Sequence, residues 1–203
     1  MALLRIASVG WQHAGWDNSY YPEDIPADWK LSYYANDFRA VVVPQQDWLA
    51  IEADDWETLL DDVDEQFRFY LALDSHDLSE TQLRIPLDAL SDQLGGFLLK
   101  QTNAVPLEST GHGDVPFIGP CTESDSQQET PHCWLDLQTE RPCRHDVVWI
   151  RERYSLPELR SGFERLQAFF PEQQNRLVVV DLAEPDTAYM QEIRTLLELM
   201  GIA

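Results

Sequence analysis

Short apolar runs alternate with segments of helical periodicity along most of the chain. Runs with the length and composition of β-strands fall at residues 3–9, 39–44, 67–73, 97–101, 115–119, 132–137, 146–150 and 176–182. Apolar residues recur every three or four positions between several of them, which predicts helices at 28–38, 54–67, 85–96, 155–170 and 186–201. Because parallel neighbours need crossover connections of this kind, the pattern predicts an α/β fold with a mainly parallel sheet.

Local signals mark several helix ends. Asp28 is expected to cap the helix at 28–38, and Ser155 with Glu158 has the spacing of a capping box. The glycine pair at 95 and 96 is expected to end the helix that precedes it.

The number of strands indicates a barrel. A (β/α)₈ chain usually takes about 250 residues, so a 203-residue chain predicts a reduced, TIM-like (β/α) barrel. The stretch 102–131 is rich in Gly, Pro, Ser, Thr and Gln, and one or more helices are expected to be missing there. Residues 1–203 are predicted to form one domain, although periodicity alone leaves an open doubly wound sheet as the alternative fold.

The charge is strongly negative, with 36 acidic residues against 14 basic ones and a net charge of −22. This balance disfavours binding to nucleic-acid phosphates or to an anionic membrane. Residues 23–65 contain thirteen Asp and Glu but only Lys30 and Arg39. Such a segment forms either a solubilising surface or a docking surface for a basic protein partner, with nucleic-acid mimicry as a third reading.

No apolar run reaches the length of a membrane span, and the first residues lack the order of a signal peptide. We therefore expect a cytoplasmic protein. Three cysteines, Cys121, Cys133 and Cys143, are an odd number, so reduced thiols are expected.

Histidines and cysteines gather between residues 112 and 145, but their gaps are long and irregular for a zinc site. Only Cys143 and His145 form a close pair, and no metal site is predicted. Glycine-rich phosphate loops and the nucleophile-elbow motif are missing from the sequence, so no cofactor is predicted.

Several segments, in order, resemble the DUF72 (YecE-like) family, a TIM-barrel variant of unknown function. The residues that carry the likeness near the start are Gly10-Trp11, Trp16 and Tyr21-Pro22. Further along, the segments LSYYANDFRAVVV, SDQLGGFLLKQ, DVVWIRERYSLPELR and RLVVVDL resemble the family's following elements.

The likeness also identifies departures from the family's polar positions. Val42 and Pro44 stand where the family carries Glu and Asn, and Ala72 stands where it carries Lys. Residues 116–119 replace a Glu-Phe-Arg-His segment, and Asp181 and Leu182 replace an Asn pair, whereas Gln101 and Arg151 remain. If those positions form the family's site, this chain has lost most of it.

In a barrel, the loops at the carboxyl ends of the strands form the pocket. Candidate binding residues there are Trp11, His13, Trp16, Tyr21, His76 and Gln101. The rings of the first loop have an alternative role, because large aromatic side chains in loops often pack as additional core.

Asp136, Arg151 and Asp181 are candidate catalytic residues because two carboxylates and an arginine at strand ends suit a small anionic substrate. The alternative is a structural salt bridge between Arg151 and one of the two aspartates. We expect a non-catalytic binding protein that docks a basic partner, with a barrel hydrolase or lyase for a small anionic substrate as the alternative.

Overall fold

The computed structural model describes residues 4–74, 78–100, 115–121, 133–139, 145–169 and 177–202. Its strands are β1 Arg5–Ser8, β2 Ala40–Val43, β3 Arg68–Leu73, β4 Leu94–Leu99, β5 Phe117–Pro120, β6 Cys133–Asp136, β7 Val147–Ile150 and β8 Leu177–Val180. Its helices are α1 Lys30–Asp37, α2 Gln45–Trp48, α3 Ala53–Asp61, α4 Glu80–Leu90, α5 Leu156–Phe169 and α6 Thr187–Leu199.

The eight strands form one parallel sheet in the order β1-β8-β7-β6-β5-β4-β3-β2. The two outer strands of that order meet, because a parallel bridge joins Val9 to Val42 and the Gly10 amide donates to the Val42 carbonyl at 2.7 Å. The sheet is therefore a nearly closed barrel flanked by helices, as the sequence predicts. The stretches 101–114 and 122–132 lie outside the described residues. The prediction that helices are missing between residues 102 and 131 therefore concerns residues that are mostly not described.

Alternating side chains along the strands supply two separate apolar cores. One set fills the barrel interior and comprises Ala7, Ala40, Val42, Tyr70, Ala72, Leu98, Ile118, Trp134, Val147, Trp149, Leu177 and Val179. The opposite faces pack against the helices, which explains why the strands appear in the sequence as continuous apolar runs. The interior is packed with side chains, as is usual for a barrel of eight strands.

Two helix starts differ from the prediction. Asp28 does not cap α1, because it lies in a 3₁₀ turn at Ala27–Trp29 that leads directly into the helix. Helix α4 begins at Glu80 rather than residue 85, because Ser79 and Gln82 form a reciprocal capping box that fixes its first turn.

The glycine pair also differs from the prediction, since Gly95 and Gly96 lie in β4 rather than at a helix end. A Cβ atom on Gly95 would lie 2.4 Å from Cζ of Tyr70. Gly95 therefore allows the Tyr70 ring to lie flat against the β4 backbone inside the barrel.

The expectation of reduced thiols is wrong for Cys121 and Cys133, which form a disulfide with a Cα–Cα distance of 5.1 Å. The physical reason is that β5 and β6 are neighbouring strands, so residues twelve positions apart in sequence come within bonding reach. Cys143 lies outside the described residues.

Candidate functional site

The carboxyl ends of β6, β7 and β8 bring the three candidate catalytic residues to one mouth of the barrel. Asp136 pairs in register with Trp149, and Arg151 and Asp181 each follow the Ile150–Val180 pair by one residue. Neighbouring strands lie about 4.8 Å apart, so Arg151 stands between the two aspartates. Because Trp149 and Val179 point inward, the residues two positions further on face the same mouth.

Two tryptophan rings support Arg151. Its guanidinium carbon lies 4.5 Å from the centre of the Trp134 ring and 5.2 Å from that of Trp149. The side chain is otherwise exposed, so ring contact orients the guanidinium and leaves its edge open to solvent.

Trp149 also orients Asp181, because its indole N–H donates to Oδ2 of Asp181 at 3.1 Å. Over the described ranges, no ion pair within 4.0 Å joins Arg151 to Asp136 or to Asp181. The structural salt bridge that the sequence left open as an alternative is therefore not formed. The same mouth carries a second cation, since Lys100 pairs with Asp74 at 3.2 Å.

The ring-rich loop after β1 divides into two parts. Trp16 and Tyr21 are only 2% exposed, and their polar groups hold the loop closed by donating to the backbone carbonyls of Pro185 and Trp11. The Trp16 ring also stacks on Tyr34 at 6.0 Å. Their burial favours the packing role that the sequence left open for these two rings.

Trp11 and His13 are half-buried, and Trp11 packs against the core between the strands and the helices. Burial lowers the pKa of His13 below its ordinary value, because the charged imidazolium is poorly solvated there. Its Nε2 atom is buried without a hydrogen-bond partner in the described structure. In the neutral imidazole, this Nε2 atom can either donate or accept one hydrogen bond, depending on the tautomer.

His76 and Gln101 lie outside the described residues, as do His112, His132 and Cys143 of the histidine and cysteine segment. His145 is buried. Within the described ranges there is no group of three or more potential metal ligands. The described helices include none with the length and apolarity to span a bilayer.

A second surface is formed by the acidic segment. Partial burial, and to a lesser degree the charges of Asp28 and Asp61, raise the pKa of Asp62. Trp29, next to Asp28, is 63% exposed. We refer to Asp28, Trp29, Asp61 and Asp62 as the acidic face.

Positive charge does little to neutralise this segment. Of its two basic residues, Arg39 pairs with Asp64 and Lys30 pairs with Asp17 outside the segment. The Arg39–Asp64 pair is the one ion pair that the described chain gives to any acid of residues 23–65.

Sequence reasoning missed the part that Trp134 and Trp149 play at the mouth. The available signal was spacing, because each tryptophan stands two residues before a charged candidate, Asp136 or Arg151. In a strand, that spacing places the ring directly below the charged group on the same face.

A parallel eight-stranded barrel with helices on its outer surface defines the class of the protein as a TIM-like (β/α) barrel. The model of the family described as "Protein of unknown function DUF72" matches residues 5–96. This is the family that the sequence motifs resemble, and the match covers the first 92 of the residues after Leu4.

Solved structures are similar over the full length. A DUF72 family protein from Thermotoga maritima is 13% identical, with a TM-score of 0.50 over 97% of this chain and 99% of that one. A DUF72 family protein from Enterococcus faecalis is 11% identical in two crystal structures. One has a TM-score of 0.55, covering 100% of this chain and 99% of that one, and the other has 0.62, covering 97% and 96%. At these identities the likeness concerns the fold. No curated protein matches the chain.

Proposed function

We propose that this protein is a non-catalytic member of the family that binds a basic protein partner through the acidic face. The observation that carries the proposal is the exposed Trp29 next to Asp28, in a segment whose thirteen acids have a single ion pair, Arg39–Asp64, within the described residues. Exposed tryptophans are over-represented among residues that dominate binding energy, and a negative surface attracts a basic partner over a distance.

The barrel interior supports a loss of catalysis. Val42 and Ala72, which stand where the resemblance implies Glu and Lys, are fully buried in the interior core. Apolar side chains at these positions remove two charged groups from the inner wall. The proposal includes a cytoplasmic location, where the Cys121–Cys133 bond would have to resist a reducing environment.

The test is capture from native lysate by the immobilised protein at low and raised salt. We expect a basic protein to bind in stoichiometric amount and to be released as salt rises, because screening weakens attraction between exposed charges. A triple variant, Asp28→Asn with Asp61→Asn and Asp62→Asn, should no longer capture this basic protein. Trp29→Ala should also fail to capture it.

The matched control replaces three exposed acids elsewhere, Asp92→Asn with Glu184→Gln and Glu192→Gln, and leaves net charge equal to that of the first triple variant. Retention by this control with loss in the first variant would assign the partner to the acidic face. Equal loss of capture in both triple variants would show that binding depends on net charge alone and would contradict the proposal.

A second candidate function is binding or conversion of a small anionic molecule at the mouth. Arg151 favours it, because its guanidinium lies over two rings and has no carboxylate within ion-pair distance in the described structure. A carboxylate or phosphate could form a bidentate contact with Arg151, and hydroxyl or amino groups of the same molecule could donate to Asp136 and Asp181.

Native mass spectrometry of the purified protein tests this candidate. A bound metabolite that is lost in Arg151→Met but retained in the exposed control Arg160→Met would support it. Turnover of that metabolite, abolished by Asp136→Asn or Asp181→Asn, would identify a hydrolase or lyase. A ligand-free wild-type protein together with a captured basic partner would favour docking.

A further inference from the structure

Two arginines lie close together at the N-terminal end of the barrel, opposite the mouth. Arg5 begins β1 and Arg68 begins β3, and both are two residues before inward-facing side chains, Ala7 and Tyr70. Burial lowers the pKa of the Arg5 guanidinium; Tyr70 acts in the opposite direction, and the nearby charge of Arg68 lowers the pKa further. The two cations therefore interact with each other in partly desolvated surroundings.

The hydrogen bonds of this pair go to backbone carbonyls. Arg68 Nη1 donates to the carbonyls of Glu65 at 2.7 Å and Phe67 at 2.8 Å. Arg5 Nη2 makes a long contact of 3.4 Å to the Gln66 carbonyl, and Arg5 Nε is buried with no partner in the part of the chain that the structure describes. Arg5 thus has guanidinium donors available.

Neither arginine has a carboxylate partner within 4.0 Å over the described ranges. This is unexpected in a chain with 36 acidic and 14 basic residues, where almost any neighbour could supply a counter-ion. Two uncompensated, partly buried guanidinium groups have a high free energy unless an anion joins them.

A cavity of about 440 Å³ opens beside Arg5, between the start of β1, the end of α1 and α6. Arg5, Arg39 and Arg194 are among its lining residues. Arg39 is compensated by Asp64, and Arg194 donates to the Asp37 carbonyl at 2.7 Å. The acids at the cavity are also engaged, since Asp37 accepts from Tyr20 and Glu198 lies 3.9 Å from Arg194.

We propose that Arg5 and Arg68 form a binding site for a small free oxyanion, of the size and charge of phosphate, at the N-terminal end of the barrel. The anion would reach the pair through the cavity beside Arg5 and accept hydrogen bonds from guanidinium donors that the protein leaves unused. Planar guanidinium groups suit tetrahedral oxyanions because they offer two parallel donors.

Titration of the full chain with inorganic phosphate tests the site, with ionic strength held constant by chloride and heat followed by calorimetry. We expect saturable binding of one phosphate, with Arg5→Met and Arg68→Met each weakening the affinity at least about tenfold. Sulfate should compete with phosphate, because the pair recognises charge and shape rather than a particular central atom.

The control variants are Arg84→Met, which removes an exposed arginine on α4, and Arg160→Met, which removes an exposed arginine on α5. Both should bind phosphate like the wild type. Arg5→Lys provides a second variant that keeps the charge and loses the fork of donors, and its affinity should fall between those of wild type and Arg5→Met.

Three results would overturn the proposal: no saturable heat below about 10 mM phosphate, unchanged affinity in both methionine variants, or loss of binding in Arg151→Met instead. Circular dichroism of each variant shows whether it is folded before its affinity is compared. This test is independent of the acidic face, because neither arginine is part of that surface.

Discussion

The two ends of the barrel hold their cations in different ways. At the mouth, Arg151 lies over two tryptophan rings and Lys100 pairs with Asp74. At the N-terminal end, Arg5 and Arg68 have only backbone carbonyls as hydrogen-bond partners in the described structure. Arginines without a carboxylate partner in the described structure therefore occur at both ends, with one at the mouth, where barrels usually bind ligands, and two at the end where barrels are usually stabilised.

The segment between the two ends is packed and apolar. The Trp149 ring lies below Arg151, and the Tyr70 ring lies nearer to Arg5 and Arg68. Each end is therefore supported by a different aromatic side chain. Substitutions of these side chains should therefore separate the two ends.

The largest effect is expected for Trp149→Ala. The ring is fully buried, so its removal should lower the free energy of unfolding by about 3–5 kcal/mol. Urea denaturation followed by far-ultraviolet circular dichroism measures the loss. Trp29→Ala, at a residue 63% exposed, should change stability by less than about 0.5 kcal/mol.

Trp149→Phe sharpens the same experiment at the mouth. It keeps a ring near Arg151 but removes the indole donor to Asp181, so its cost should fall between those of the two alanine variants. A Trp149→Ala protein as stable as Trp29→Ala would contradict a packed interior.

The second effect, at the other end, is expected for Gly95→Ala. The new methyl group would overlap the Tyr70 ring, which is 5% exposed and must shift, at a cost of about 1–3 kcal/mol. Differential scanning calorimetry measures the change. Gly119→Ala in β5, where no atom of the described residues lies within 4 Å of the new Cβ, is the matched control and should be neutral or slightly stabilising.

The smallest effect concerns His13 and pH. Burial lowers its pKa in the folded state, so above the ordinary value of 6.5 the imidazole is neutral in both states. As pH falls below 6.5, the unfolded chain binds a proton that the folded chain resists, and folded stability declines until the folded pKa is passed.

Thermal unfolding between about pH 8 and pH 5 should therefore show a smaller decline for His13→Asn than for the wild type. Comparison of the two proteins at each pH removes the contribution of the other histidines. Equal declines would show that His13 does not couple folding to protonation.

The strands could be predicted because interior and exterior faces are both buried, which makes each strand a continuous apolar run. The run 39–44 contains β2, and the run 176–182 contains β8. Helix α4 starts five residues earlier than predicted and contains Pro86 in its second turn. The sequence signal was the Ser79–Gln82 capping box.

Candidate residues at the mouth could be predicted because they follow apolar runs. Their contacts with side chains on other strands could not be predicted. The support of Arg151 by two rings depends on which strands are neighbours, and an apolar run does not encode strand order. The same reason applies to Arg5 and Arg68, and to the Cys121–Cys133 bond. Each joins elements whose proximity exists only after the barrel has closed.

The short pairing of strand β5 with its neighbours affects how firmly the barrel is closed. Its described register pairs number two on each side, Phe97–Phe117 and Leu98–Ile118 towards β4, then Gly119–Cys133 and Pro120–Trp134 towards β6. The Cys121–Cys133 disulfide links β5 to β6 covalently. Loss of the pairing between β5 and a neighbour would convert the barrel into an open sheet with two unpaired edge strands. Such edges are templates for pairing with other chains. The bond therefore protects the protein against aggregation as well as against unfolding.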